Sequence, residues 1–376
     1  MWRGASEVPV SATRYLLFIA VCPGLEDLLL EEMEDIVPGM KVSKREAGVE
    51  VRASAPEIWR IARRTRLGES MRVRMGRFKA TRFESLIEGL ERLAWAAYVP
   101  RGAVPPVIVT CRKSQLSNSE AVKARLQSLL RGRTEGIPQT VQDPTLSIRL
   151  YKDRATISVD AGGRLLHERG YRLPEDAGGL RETLAAACVR AAAIREDQSV
   201  WDPFCGGGTL PIESALIQRG GDFTLPGRRF AFEDWPTHDA LAYAEATESH
   251  LSSGTRQVFG SDVNLEDIRS AEAAAQRAGV EEQCTFRRGT PGGVAEEIPS
   301  GTAVLTLLPH GRLDESASSR EALVGFGEML RARPDLGPVV VVEGTPHLDA
   351  ATGCTWEPLR SFSNEGERVT MMQLVR

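Results

Sequence analysis

The sequence has few of the residues that hold metal ions or build disulfide frameworks. Its 376 residues include six cysteines and five histidines, the cysteines lie far apart, and no C-x-x-C pair occurs. A zinc site is therefore not expected. Scattered cysteines without a secretory signal are typical of reduced thiols, so we predict a cytoplasmic protein that binds no metal.

Long apolar runs are also lacking. No run reaches the ~18 residues that a membrane span needs, and the apolar stretch 15–22 has the length of a strand and lacks the basic start of a signal peptide. We therefore expect no membrane contact. A hydrophobic content of 42% and a charged content of 26% exclude disordered, collagen-like and coiled-coil chains. The length predicts two or three domains.

Lysine is absent after Lys152, and the two halves of the chain carry opposite net charge. Through Arg172 there are 29 Lys+Arg against 20 Asp+Glu, a balance of +9, and from Leu173 onward there are 18 against 31, a balance of −13. A basic front half is consistent with an anion-binding module. Solvated charged faces would explain the same numbers equally well.

The pattern of apolar residues changes along the chain. The front half has short elements, among them a buried strand predicted at Val107–Cys111 and a basic helix at Ser119–Leu130, which together predict an α+β region. A Gly- and Arg-rich segment, 162–179, separates this region from the back half. There, strands at Val200–Asp202 and Val258–Asp262 alternate with helices, which predicts an α/β domain with a parallel, doubly wound sheet.

The sharpest motif follows the first of these back-half strands. It reads Asp-Pro-Phe-Cys-Gly-Gly-Gly-Thr at 202–209. Consecutive glycines let a ligand approach the backbone before the next helix starts, at the sheet edge where nucleotide-like ligands bind. The loop lacks the Lys-Ser/Thr of a P-loop and is not G-x-G-x-x-G. A carboxylate before the glycines would repel pyrophosphate, and it suits a cationic ligand with a ribose.

A second carboxylate, Asp262, ends the next strand of the back half. Such a residue accepts hydrogen bonds from both ribose hydroxyls in dinucleotide-binding folds. Its distance in sequence from Asp202 exceeds the usual ~20 residues, so we expect an insertion between the two strands, at 220–254. Asn264 and Gly279 are the predicted N-cap and C-terminal stop of the helix that follows.

On these motifs the chain resembles the THUMP-containing RNA methyltransferases, in particular the bacterial 23S rRNA guanine methyltransferases that modify the exocyclic amino group. The loop 202–209 is similar to their S-adenosylmethionine (SAM) loop, Asp-Pro-x-Cys-Gly-Ser/Gly-Gly-Thr. Further segments that resemble the family are 22–26, 112–114, 122–125, 166–172, 180–185 and 226–235. The resemblance covers about residues 14–345.

The resemblance implies an α/β, Rossmann-like SAM methyltransferase domain at 173–376, preceded by an α+β region. That region would contain an N-terminal ferredoxin-like domain at 14–70 and a THUMP RNA-binding domain at 71–165. The implied cofactor is SAM, and the residues implied to bind it are Thr183, Asp202, Phe204, Cys205, Gly206, Gly207, Asp262 and Thr290. The implied partner is RNA, in particular rRNA, and the basic residues expected to contact its phosphates are Arg112, Lys113, Lys123, Arg125, Arg131 and Arg133.

Two family positions are changed in this sequence. The family's Asn-Pro-Pro-Tyr-Gly, whose Asn and aromatic ring hold the target base, corresponds to Leu-Leu-Pro-His-Gly at 307–311, which leaves Pro309 and His310 as the candidate catalytic residues. The adenine-contacting Asp corresponds to Thr290. Two functions therefore remain open: an RNA methyltransferase acting on a guanine amino group, and an inactive RNA-binding relative that kept the fold.

Overall fold

In the computed structural model the described residues are 13–100, 105–131, 145–173, 179–195, 197–220, 222, 228–246, 257–309, 317–342, 347–364 and 367–376. His310 and Arg133, which were predicted to have roles in the acceptor loop and in RNA binding, lie outside them. None of the helices in these ranges combines the length and the apolar character that crossing a membrane requires.

The elements alternate between strands and helices along the chain. The strands are β1 (Tyr15–Ala20), β2 (Val42–Arg45), β3 (Gly48–Ala53), β4 (Ser70–Lys79), β5 (Val107–Arg112), β6 (Leu146–Tyr151), β7 (Arg154–Asp160), β8 (Val200–Asp202), β9 (Val258–Asp262), β10 (Cys284–Arg288), β11 (Ala303–Leu307), β12 (Val339–Val342), β13 (Trp356–Asn364) and β14 (Glu367–Leu374). The helices are α1 (Glu26–Ile36), α2 (Ala55–Arg64), α3 (Phe83–Glu91), α4 (Ser119–Arg131), α5 (Glu182–Ala191), α6 (Thr209–Arg219), α7 (Ala240–Ala246), α8 (Leu265–Ala278), α9 (Pro291–Val294), α10 (Ala317–Ala332) and α11 (Leu348–Thr352).

The first compact unit comprises the described residues of 1–21, 30–166 and 227–248. Its seven strands form one sheet in the order β2-β3-β1-β4-β7-β6-β5, in which only the β5–β6 pair of the described strands is parallel. The ranges 14–70 and 71–165 therefore contribute to the same sheet, joined by the antiparallel pairing of β1 with β4. The domain boundaries within this unit stay a prediction from the resemblance.

Alternation of apolar and polar residues gives this sheet two different faces. In β6, Leu146, Ile148 and Leu150 are buried, whereas Arg149 and Tyr151 point to the exposed side. Helices α3 and α4 pack on the apolar side, where Val122 and Leu126 of α4 are fully buried. Such alternation is expected when an antiparallel sheet is covered on one face.

One prediction for this sheet was wrong. The run Val107–Cys111 forms a strand, but it is not buried, because β5 lies at the edge of the sheet. Of its residues only Val107 is buried, and the side chain of Ile108 is 56% exposed. A short apolar run is compatible with a buried or an edge strand, and the sequence pattern alone does not separate the two.

The insertion predicted between β8 and β9 folds with the first unit in its described part, 228–246. Its aromatic residues hold it there. Phe232 stacks on Phe230 with ring centroids 5.2 Å apart, and Tyr243 contacts Trp59 of α2 edge-on at 5.4 Å. This stretch lies inside the range 173–376 that the resemblance assigns to the methyltransferase domain.

The second compact unit comprises the described residues of 22–29, 167–226 and 249–376. Its sheet has the order β10-β9-β8-β11-β12-β14-β13. The first five strands are parallel, as predicted. The expectation of an all-parallel sheet was wrong at one edge, because β13 and β14 form a hairpin that pairs antiparallel with β12. The result is a mixed α/β sheet.

The order of strands creates a crevice at the middle of this sheet. From β8 the chain proceeds outward through β9 and β10 on one side, and it returns to form β11 and β12 on the other. In open α/β sheets such a switch point is where ligands bind, beyond the carboxyl ends of the strands. Behind it, Trp201, Phe326 and Trp356 belong to an apolar core that fixes the positions of β8 and β11.

Candidate functional site

Three strands end beside one another at this crevice, and each ends in a residue that the sequence analysis singled out. Asp202 ends β8, Asp262 ends β9 and Leu307 ends β11. Since β8 pairs in parallel with both β9 and β11, the three ends meet at the same sheet edge. Of these three residues, Asp202 and Leu307 line the crevice, and Asp262 lies behind the loop that follows β8.

Asp202 is the most constrained of these groups, with 2% of its surface exposed. Its Oδ1 accepts hydrogen bonds from the Phe204 backbone N–H at 3.1 Å and from the Thr306 hydroxyl at 2.5 Å. Burial raises the pKa of Asp202 to about 7, although these two hydrogen bonds act to lower it. A buried carboxylate with a raised pKa gains most from a cationic ligand, because the ligand's charge stabilises the ionised form.

The glycine loop is fastened to the end of β9. The Cys205 backbone N–H donates to the Ser261 carbonyl at 3.0 Å, and the Gly206 N–H donates to Asp262 Oδ2 at 3.1 Å. Asp262 Oδ1 accepts from the Asn264 N–H at 2.9 Å. Asp262 thus holds the loop, while each of its oxygens keeps a lone pair with which it can accept a further hydrogen bond.

Gly208 is the position of the loop where a side chain is least tolerable. Its φ is +81°, and an added Cβ would lie 2.8 Å from the Ala271 Cβ. We expect Gly208→Ala to lower the free energy of unfolding by about 1–3 kcal/mol, through left-handed backbone strain and overpacking. Urea titration measures the change.

Gly207→Ala is the matched control for this prediction. Gly207 does not have a positive φ, and its nearest contact would be the Ser270 Oγ at 3.9 Å. The control should lie within about 0.5 kcal/mol of the native protein, as is usual for substitutions that strain nothing. Equal losses in the two variants would contradict this account of the loop.

The loop opens onto a cavity of about 660 Å³ within the second unit. This volume lies in the range of small-molecule sites, roughly 300–1,000 Å³. The wall formed by the loop and its strands contains Asp202, Phe204, Cys205, Gly206, Gly207, Thr209, Leu210 and Leu307. The opposite wall comes from α8 and from the chain before α5, and its charged residues are Arg172, Glu266, Asp267, Arg269 and Arg277.

A buried ion pair positions the wall that contains Arg172. Arg169 Nε lies 2.7 Å from Glu213 Oε1, and both side chains are almost completely buried. The Tyr171 hydroxyl donates to the same Glu213 oxygen at 2.9 Å. Glu213 belongs to α6, the helix that begins directly after the glycine loop. The segment 167–172 is therefore held against the helix that follows the loop. Breaking a buried pair of this kind leaves an uncompensated charge.

The structure brings together five of the eight residues predicted to bind the cofactor. Asp202, Phe204, Cys205, Gly206 and Gly207 line the cavity. The other three do not line it. Thr183 is buried in α5, Asp262 lies behind the loop, and Thr290 is the N-cap of α9, where its Oγ1 accepts from the Gly293 N–H at 3.2 Å.

The acceptor-loop residues are placed only in part. Leu307 lines the cavity, whereas Pro309, half-buried, does not, and His310 lies outside the described residues. Thr306, whose hydroxyl donates to Asp202, and the charged residues of the opposite wall were not predicted from the sequence. Four of those residues lie on α8, where no short motif marks them, and Arg172 lies in the family-like segment 166–172.

The predicted RNA-contacting residues lie in the first unit. Arg112 and Lys113 are exposed at and just after the end of β5, and Lys123 and Arg125 lie on α4. Arg125 is placed over the Phe83 ring at 5.6 Å. Arg131 ends α4, and its side chain, like all of Arg133, lies outside the described residues.

Solved structures show the same fold. A predicted N6-adenine-specific DNA methylase from Listeria monocytogenes superposes with a TM-score of 0.83 at 24% identity and covers 96% of this chain and 97% of its own. The candidate methyltransferase SMU.472, solved in complex with SAH, superposes with a TM-score of 0.82 at 22% identity, with coverage of 96% and 97%. At this identity the likeness establishes the fold alone.

Sequence relatives carry the comparison further. The family described as RMKL-like, methyltransferase domain, matches residues 169–332, the stretch that contains most of the cavity wall. The ribosomal RNA large subunit methyltransferase K/L of Chromohalobacter salexigens is 29% identical over 93% of this chain, but the chain spans only 50% of that protein.

The candidate RNA methyltransferase YpsC of Bacillus subtilis (strain 168) is 30% identical over 289 residues, which are 73% of this chain and 74% of YpsC. Methyltransferases of this kind depend on S-adenosylmethionine. The carboxylate, the glycine loop and the cavity at the switch point are thus found in a chain that belongs to the RMKL-like methyltransferase family.

Proposed function

We propose that this chain is a SAM-dependent RNA methyltransferase and that ribosomal RNA is its substrate. The observation that carries the proposal is the cavity at the end of β8, where the buried carboxylate of Asp202 adjoins a backbone-lined glycine loop. The named activities of YpsC and the K/L proteins support RNA as the acceptor. An rRNA substrate would place the protein in the cytoplasm.

The residues of the cavity fit the chemistry of SAM. When bound, SAM supplies an electrophilic methyl group on a sulfonium. Asp202 would accept hydrogen bonds from the ammonium of its amino-acid tail, and Gly206 and Gly207 would allow that tail to approach the backbone. Asp262 and the cavity-lining Glu266 offer carboxylate oxygens to the ribose hydroxyls.

The positions that bind the adenine and the acceptor base are less well supported. Thr183 and Thr290 are assigned to SAM by resemblance alone. By the same resemblance the acceptor is a guanine exocyclic amino group, held near Pro309 and His310. In this chain Leu307 occupies the cavity wall where the family has asparagine, so the reacting N–H would meet an aliphatic side chain.

That aliphatic side chain favours a second candidate function, an RNA-binding relative without methyltransferase activity. Removing one hydrogen bond aimed at a reacting group costs about 10²–10³ in rate. Proximity and orientation together supply about 7–11 kcal/mol of a typical barrier, so a slow reaction is compatible with the loss. We favour the methyltransferase, because five of the residues proposed to bind SAM line the cavity.

Isothermal titration with SAM tests the proposal directly. The native protein should bind SAM with 1:1 stoichiometry, and methyl incorporation from tritiated SAM into unmodified rRNA should follow. If no heat of binding is detected at millimolar SAM, both the assignment of SAM as cofactor and the proposed methyltransferase activity are wrong. Binding without incorporation would support the inactive relative.

A further inference from the structure

The face of the first unit's sheet opposite α3 and α4 is rich in cationic residues, and it includes Arg112, one of the residues predicted to contact RNA. Pairing register places side chains that are directly opposite on the same face. On the four strands β4, β7, β6 and β5, this face carries seven cationic residues, and we call it the arginine face: Arg72, Arg74, Arg77, Lys79, Arg112, Arg149 and Arg154. Asp160 is the one acid on the face within these described strands.

Contacts among these side chains confirm that they share a face. Arg74 lies over the Phe18 ring at 4.2 Å and donates through Nη1 to the Ser158 hydroxyl at 2.9 Å. Arg74 and Arg77 both pair with Glu50 of β3. Burial raises the pKa of Glu50, yet hydrogen bonds from Arg45 and Arg77 bring it below its ordinary value. The centre of the face is therefore partly neutralised from within.

The outer part of the face is not neutralised in this way. Lys79, Arg154, Tyr151 and Arg112 form one register row across β4, β7, β6 and β5. The three cations of this row are exposed, and none of them has an acidic partner among the described residues. Asp160, at the other end of β7, accepts hydrogen bonds from the Gly162 and Gly163 N–H groups.

The face is also concave. Glu46, in the turn between β2 and β3, lies 3.4 Å from the Arg149 guanidinium on β6. These strands are four apart in the sheet order, about 19 Å in a flat sheet. Their contact requires the sheet to curve toward this face, and the bulge in β4 between Arg74 and Gly76 bends the strand. The result is a curved surface that carries several guanidinium groups.

We propose that the arginine face is the surface on which the first unit binds the phosphate backbone of RNA. The proposal rests on the proposed function for the nature of the partner, and it deepens that function by placing the contact on this face of the sheet, to which the predicted contact Arg112 belongs. Guanidinium groups suit phosphate geometry, and a concave array of them follows a curved backbone. Only Tyr151, 36% exposed, offers an aromatic surface in the row, so base stacking contributes little and the binding is largely sequence-independent.

The test compares two triple variants of equal charge. Lys79→Gln/Arg112→Gln/Arg154→Gln removes the exposed row of the arginine face. Arg60→Gln/Arg64→Gln/Arg92→Gln removes three positive charges from α2 and from the C-cap of α3. A fluorescein-labelled RNA hairpin of about 24 nucleotides is titrated with the full chain, and binding is measured by fluorescence anisotropy. The titration is repeated at several KCl concentrations between roughly 50 and 300 mM, because affinity that comes from phosphate contacts falls steeply over this range.

We expect the row variant to bind at least about tenfold more weakly than the native protein at ~0.1 M salt, with its salt slope reduced by about 2–3. The helix variant should remain within about threefold of the native protein. An equal loss in both variants, or a larger loss in the helix variant, overturns the placement while leaving the proposed function intact. If the native protein binds SAM but not the hairpin, RNA itself is the wrong partner. Far-UV circular dichroism and SAM titration of each variant identify misfolding.

Discussion

Replacing Leu307 by asparagine is expected to raise the rate of methyl transfer to RNA by about 10²-fold. Leu307 ends β11 and lines the cavity beside Asp202 and Phe204. Its side chain cannot accept a hydrogen bond, whereas an asparagine oxygen at this position would bind the N–H of the acceptor base and orient its nitrogen toward the cavity. Such a directed hydrogen bond is worth about 10²–10³ in rate.

The measurement is single-turnover incorporation of tritiated methyl groups into rRNA transcribed in vitro, at saturating SAM. Leu307→Ala is the control, because it opens the same space without adding an acceptor. SAM affinity should be equal in the native protein and both variants. Incorporation by the native protein that increases in Leu307→Asn supports a slow enzyme. Incorporation by the variant alone supports the inactive relative.

Equal rates for Leu307→Asn and Leu307→Ala would contradict the assignment of this position. The increase would then come from space in the cavity and not from a hydrogen bond. If the Leu307→Asn variant binds SAM and RNA but transfers no methyl group, the acceptor loop must differ from that of active enzymes at more positions than Leu307. The assay therefore separates a missing acceptor from a missing loop.

The parts of the fold that sequence predicted correctly are those set by local chemistry. The bounds of β8 and β9 were predicted as found, since each is a short apolar run that stops at an aspartate. The helix after β9 begins and ends as predicted, because Asn264 Oδ1 accepts from the Glu266 N–H at 3.0 Å and Gly279 adopts a φ of +69°. N-caps and C-terminal glycines act over three or four residues, so the local sequence is enough to predict them.

What sequence could not provide depends on contacts between distant residues. The hairpin β13–β14 was not predicted, and its place beside β12 is fixed only by pairing in the folded sheet. Arg169 and Glu213 are 44 positions apart, and their pairing follows from the docking of 167–172 on α6. Arg269 and Arg277 look like solvated helix residues until α8 is seen to form the cavity wall.

Substituting Asp202 by asparagine is expected to stabilise the fold at alkaline pH while weakening SAM binding. Asp202 is fully buried, and its native pKa of about 7 lies far above the ordinary value of 3.8. The native state therefore binds a proton more tightly than the unfolded chain. The stability that this provides is fully present below about pH 4 and is lost as the pH rises through about 7.

A shift of about three pKa units corresponds to about 4 kcal/mol between the protonated and ionised forms. Asparagine keeps an Oδ1 that can accept from Phe204 and Thr306, and it carries no charge to desolvate. In urea titrations Asp202→Asn should match the native protein near pH 4, and at pH 8 it should have the higher free energy of unfolding, by up to about 4 kcal/mol. Its affinity for SAM should fall by at least about tenfold, since hydrogen bonds to charged groups contribute about 1.5–3 kcal/mol.

Thr306→Val is the control that separates the two effects. It removes the hydroxyl that donates to Asp202 Oδ1 at 2.5 Å and leaves the carboxyl in place. Because that bond favours the ionised form, Thr306→Val should lose more stability at pH 8 than at pH 5. If Asp202→Asn raises the free energy of unfolding and lowers the affinity for SAM, then the charge of Asp202 costs stability and serves ligand binding. If the variant were less stable than the native protein at pH 8, Asp202 would instead be a structural carboxylate, and the cationic end of the ligand would bind elsewhere in the cavity.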